Sequence, residues 1–132
     1  MLTPVTTTSV YAILLAILFL VLSVRAMLGR HRARVPFGEG ASEELRRRLR
    51  AHANFAEYVP ISLILMALLE LQGAGSIVLN VIGLLLLAGR LAHAYGISRI
   101  PEHPRSRSIG MGLTLAAIIF AILGLASIAL FG

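Results

Sequence analysis

Four long apolar stretches divide the chain, at roughly residues 10–28, 55–71, 77–97 and 109–131. Each approaches or exceeds the ~17–25 residues that a helix needs to cross ~30 Å of hydrocarbon. The pattern therefore predicts four transmembrane helices. The connections are polar: an arginine-rich segment after the first stretch, the QGAGS turn at 72–76, and SRIPEHPRSRS before the fourth stretch. A chain of 132 residues leaves room for these spans and short loops. The expectation is one all-α membrane domain over 1–132, a four-helix bundle with no soluble appendage.

The second stretch opens on polar residues. In RAHANFAEYVP, Arg50, Asn54, Glu57 and Tyr58 stand at offsets of 0, 4, 7 and 8, on one face of a helix, and Pro60 follows. A carboxylate beside hydrocarbon costs at least ~2.5 kcal/mol on insertion scales. It normally faces the bundle interior with a partner, so this segment marks where chemistry is expected. Pro60 lacks a backbone donor and crowds the carbonyl of Ala56, which predicts a bend. The third stretch carries Arg90 and His93 near its end, in GRLAHAYG. Successive spans run in opposite directions, so Asn54 and Glu57 lie at a depth similar to Arg90 and His93. The expected pairing is Glu57 with Arg90, within one subunit or across an interface. A structural ion pair and a binding site both fit that pairing. Converging cations at the mouth, with Tyr95 and Gly96, would suit a carboxylate-bearing ligand, because guanidinium makes bidentate bonds to carboxylates.

Composition agrees with a membrane class: 58% of residues are hydrophobic and 14% charged, with a net charge of +6. Lysine and aspartate are absent. Arg30, Arg32, Arg34, Arg46, Arg47, Arg48 and Arg50 lie between the first two spans, and Arg99, Arg105 and Arg107 between the last two. The positive-inside rule then predicts cytoplasmic basic loops and outside termini. Topology accounts for the charge, so no nucleic-acid partner is expected. The first stretch has no basic residue ahead of it and arginines after it, the reverse of a secretory signal, and reads as a retained helix. There is no cysteine, and the four histidines form no metal-ligand pattern, so no metal is expected.

Local signals refine the elements. Ser42 ahead of Glu43 and Glu44 predicts a helix start that runs without a break into the membrane, with Arg46–Arg48 as its solvated or headgroup-facing turn. Gly110, Thr114, Ala117, Ala121 and Gly124 form a small-residue stripe at 4-3-4-3 spacing, which predicts close helix packing and no ligand role.

The segment Arg50-x3-Asn54-x2-Glu57-Tyr58-x-Pro60 resembles the signature of the MAPEG superfamily, the membrane-associated proteins in eicosanoid and glutathione metabolism. The resemblance extends to Arg30-x3-Arg34-Val35, to Arg90-Leu91 with Gly96, and to an arginine shortly before the fourth span. It covers essentially the whole chain and is similar to the small bacterial inner-membrane branch. It implies a homotrimer with glutathione bound at subunit interfaces, facing the cytoplasm. Arg50, Asn54, Glu57 and Tyr58 would bind glutathione from one subunit, and Arg30, Arg90 and His93 from its neighbour. The thiol-activating arginine aligns with Arg107, with Arg105 as the alternative. The leukotriene-C synthase branch has tyrosines where this chain has His93 and Ile97.

Three function classes remain. The resemblance implies a glutathione-dependent transferase or peroxidase acting on lipophilic electrophiles or lipid hydroperoxides. A non-catalytic lipid-binding or scaffold protein of the same fold is the alternative. A small multidrug transporter also has four spans and a membrane glutamate, but places that glutamate in the first span, which here has none.

Overall fold

The computed structural model describes residues 4–131; the first three residues and Gly132, counted above in the single domain, lie outside the described residues. Four helices follow one another: α1 (Thr6–Ala33), α2 (Glu43–Leu71), α3 (Ser76–Ser98) and α4 (Pro104–Phe131). All four are long and apolar enough to cross a membrane. The first two overrun the apolar stretches, and polar groups hold their ends. Ser42 caps α2, its Oγ accepting the Leu45 N–H at 3.1 Å, with Glu43 and Glu44 in the first turn. The helix then continues unbroken through Pro60. Arg34 ends α1 in the left-handed region at φ 54°, and its successor Val35 donates back to the Arg30 carbonyl at 3.1 Å.

The start of α1 has no side-chain cap of its own. Instead the Glu70 carboxylate, one residue from the end of α2, accepts the Thr7 and Thr8 N–H groups at 2.7 and 2.8 Å. This satisfies two orphan donors of α1 and ties its start to the end of α2. At the opposite end Arg48 donates to the Arg25 carbonyl at 3.1 Å, and Arg25 reaches Ser98 Oγ at 3.4 Å. The two arginine-rich connections therefore share one end of the bundle, and the QGAGS turn and the start of α1 share the other.

The core is aliphatic, built on Leu15, Leu22, Met66, Leu79, Ile82 and Leu86. Large apolar side chains such as Ile13, Leu20 and Leu84 point outward on the other helix faces. Hydrocarbon is the natural solvent for such a surface. Between α3 and α4 the backbones nearly touch. A β-carbon on Gly89 would stand 2.8 Å from the Gly110 carbonyl oxygen, and one on Gly96 would stand 2.8 Å from the His103 carbonyl oxygen. The small-residue stripe of α4 makes this contact: Gly110, Thr114, Ala117 and Ala121 are its buried residues. Gly124 continues it against Leu69 of α2. The expected packing role of that stripe is what the structure shows.

Candidate functional site

A cleft of about 570 Å³ opens at the arginine-rich end of the bundle, between α2, the end of α3 and the start of α4. Arg50, Asn54, Glu57 and Tyr58 line it from α2, as one helix face should. His93 and Ile97 line it from α3, and Arg107 and Met111 from α4. The glycine contacts between α3 and α4 decide this arrangement. Gly110 packs directly on the backbone of His93, and Gly96 on that of Arg107. With no β-carbons between them, the two helices hold His93 and Arg107 on the same wall.

Arg90 is buried, at 1% exposure, and its partner is not the one expected. Its Nη1 donates to Asn54 Oδ1 at 2.9 Å, with a longer contact to the Asn54 carbonyl at 3.4 Å. Its guanidinium carbon also lies 5.9 Å from the centroid of the Tyr58 ring. Among the described residues no ion pair joins Arg90 to Glu57. Glu57 points outward on an exposed part of α2. The rotation of α2 is the reason: Asn54, four residues behind Tyr58, faces α3, while Glu57 is turned away from it. The amide has a consequence for the cleft. Because Oδ1 accepts from Arg90, the Asn54 NH₂ is the end left to donate. Nε and Nη2 of Arg90 are buried with no partner among the described residues.

A chain of ion pairs crosses the mouth. Glu102, between α3 and α4, accepts from Arg47 at 3.2 Å and pairs with Arg107 at 2.6 Å. Arg47 also holds Glu43 at 2.8 Å and reaches the Ile97 carbonyl at 3.4 Å. Of the turn expected to be solvated or headgroup-facing, Arg46 is exposed, while Arg47 bridges α2 to the α3–α4 connection and Arg48 braces α1 while pairing with Glu44. Sequence reasoning missed Glu102. Its signal was present, as the single carboxylate among Arg99, Arg105 and Arg107.

The other expected residues separate. Of the residues that the resemblance implied from a neighbouring copy, Arg90 bonds Asn54 of its own chain and His93 lines its own chain's cleft. Arg30 is not at the cleft; its Nη1 donates to the Gly38 carbonyl at 2.6 Å, on the α1–α2 connection. Arg105 is exposed and does not line the cleft, whereas Arg107 does. Tyr95 lies outside the cleft with the Arg99 guanidinium 4.9 Å from its ring centroid. Among the described residues no group of acidic, histidine or cysteine side chains is arranged to hold a metal.

Four membrane-length helices with a charged cleft between three of them define an integral membrane protein with a polar site set beside hydrocarbon. The chain belongs to the MAPEG family, whose sequence pattern matches residues 8–127. It is 36% identical over 115 residues to "Inner membrane protein YecN" of Escherichia coli strain K12, covering 87% of this chain and 86% of that protein. The same identity and coverage hold for the protein of that name from Escherichia coli O6:H1.

Proposed function

We propose that this protein binds glutathione in the cleft and uses its thiol on lipophilic electrophiles or lipid hydroperoxides in the bacterial inner membrane. The observation that carries the reading is the donor set of one cleft: Arg46, Arg50 and Arg107 beside Asn54, Glu57 and Tyr58. Glutathione has two carboxylates, an ammonium group and a thiol. Arg46 and Arg50 suit the carboxylates, and the outward Asn54 NH₂ adds a neutral donor. Glu57, which has no ion pair among the described residues, suits the ammonium group. Arg107 would stand by the sulfur and favour the thiolate over the thiol. The cleft volume lies within the ~300–1,000 Å³ of ligand pockets. Attack by the thiolate on an electrophile delivered from the bilayer gives a conjugate. Its oxidation by a hydroperoxide gives an alcohol and, with a second glutathione, a disulfide and water.

The site is assigned to a homotrimer in which Arg30 of one copy completes the cleft of the next, with both basic connections cytoplasmic. A scaffold reading has one observation in its favour. His93 and Ile97, the positions that carry tyrosine in the leukotriene-C synthase branch, both line the cleft. Calorimetric titration of glutathione into purified protein tests the proposal. Saturable binding that Arg50→Ala weakens supports it, and no binding at millimolar glutathione overturns it in favour of the scaffold.

A further inference from the structure

Arg25 and Arg99 stand outside the cleft, at the same end of the bundle, and among the described residues neither forms an ion pair. Arg25 is set within the apolar part of α1, beside exposed Val24 and Leu28. Its guanidinium donates from Nη1 to a neutral group, Ser98 Oγ at 3.4 Å, the last residue of α3. Arg99 follows directly and lays its guanidinium 4.9 Å from the centroid of the Tyr95 ring. The six carboxylates of the chain are placed elsewhere. Glu43 and Glu102 hold Arg47, Glu102 also holds Arg107, and Glu44 holds Arg48. Glu57 lines the cleft, Glu70 caps α1 at the far end, and Glu39 makes no ion pair among the described residues. A cation within an apolar span is costly unless it reaches the interface and meets an anion there. Arg25 reaches the end of α3, but no carboxylate among the described residues meets it.

The surface around the two arginines decides which anion fits. Leu91, Tyr95 and Ser98 share one face of α3, at offsets of 0, 4 and 7, opposite the face that carries His93 and Ile97 into the cleft. Leu91 and Tyr95 are exposed there, as are Val21, Val24 and Leu28 on α1. Aliphatic side chains giving way to a tyrosine and then to arginine mark the depth of phospholipid headgroups. We propose that the end of α3 and the adjoining turn of α1 bind the phosphate of an anionic phospholipid, held by Arg25 and Arg99. Guanidinium forks match phosphate oxygens. Ser98 Oγ accepts from Arg25 and keeps its O–H to donate to the same phosphate. The acyl chains run along Val21, Val24 and Leu28 of α1 and Leu91 of α3. Two guanidinium groups favour a headgroup of net negative charge, such as phosphatidylglycerol, over a zwitterionic one whose amine they repel. A free phosphate would satisfy the guanidinium groups and leave the apolar flank unused. The site is independent of the glutathione reading.

Native mass spectrometry of the detergent-purified protein, with phosphatidylglycerol or phosphatidylcholine added, tests the site. Phosphatidylglycerol should bind at least about tenfold more tightly than phosphatidylcholine, and Arg25→Gln and Arg99→Gln should each weaken it about tenfold (~1.4 kcal/mol). Arg32, an exposed arginine in the last turn of α1, serves as the control for charge alone. Arg32→Gln should change the affinity by less than about twofold, because a general attraction between basic loops and anionic lipid is diffuse. Equal binding of the two lipids overturns the proposal, and so does equal weakening by Arg32→Gln. Displacement of bound phosphatidylglycerol by millimolar inorganic phosphate overturns the lipid as occupant and gives the site to the free anion. Arg99 is exposed just past the end of α3, so its variant decides the question even where Arg25→Gln does not fold.

Discussion

Asn54 gives the Arg90 guanidinium its shorter hydrogen bond, at 2.9 Å, and so holds a buried cation without a carboxylate. A hydrogen bond to a charged group contributes ~1.5–3 kcal/mol, so Asn54→Ala should cost an amount of that order. A lowered melting midpoint in detergent would register it. Asn54→Asp supplies a carboxylate to Arg90 but removes the outward amide donor. It should keep the melting midpoint while weakening glutathione binding by about tenfold, or ~1.4 kcal/mol; loss of stability without loss of affinity would show the amide is purely structural. Glu57 behaves differently because Arg90 does not depend on it. Glu57→Ala should reduce glutathione affinity with little change in stability, and a drop in melting midpoint as large as that of Asn54→Ala would contradict this separation. Arg107→Ala should abolish thiolate absorbance and spare most of the affinity, since its guanidinium is assigned to sulfur and not to the carboxylates. Retention of thiolate in Arg107→Ala with its loss in Arg105→Ala would transfer that role to Arg105.

At the scale of elements, polar contacts set the ends of the helices and glycines set how near they come. Glu70 serves as the cap that α1 lacks, accepting two of its N–H groups. Glu70→Ala should cost ~0.5–2 kcal/mol, as loss of a helix cap does. Hydrogen exchange at Thr7 and Thr8 should accelerate while the centre of α1 stays protected; equal protection in the variant would show that the cap is idle. Gly110→Ala forces a β-carbon into the backbone of His93. Neither side of that contact is a flexible side chain, so α4 must move away from α3. The expected outcome is lower stability together with loss of the thiolate signal, because Arg107 on α4 would shift away from the cleft. Wild-type stability and thiolate formation in Gly110→Ala would contradict the close approach.

At the scale of the whole molecule, Glu57 and Arg50 line the cleft and stay exposed on α2. Charged groups facing hydrocarbon are costly, so a neighbouring copy that covers them is expected. Native mass spectrometry in detergent should find three copies, and monomers alone would leave the cleft without the cover proposed. Much of this architecture was legible in the sequence. Apolar run length determined four membrane-length helices, the 0, 4, 7, 8 spacing placed Arg50, Asn54, Glu57 and Tyr58 on one face, and Ser42 marked the start of α2. These are local properties, set by helical periodicity, capping and the thickness of hydrocarbon. Which residues pair was not local. The rotation of α2 against α3 gave Arg90 to Asn54 and not to Glu57, and the fold of the α3–α4 connection placed Glu102 between Arg47 and Arg107. A motif lists the side chains on one helix face, but a partner is chosen by the azimuth and depth of the facing helix. Packing at Gly89, Gly96 and Gly110 sets α4 against α3, and how α2 seats on α3 is recorded only in the tertiary structure.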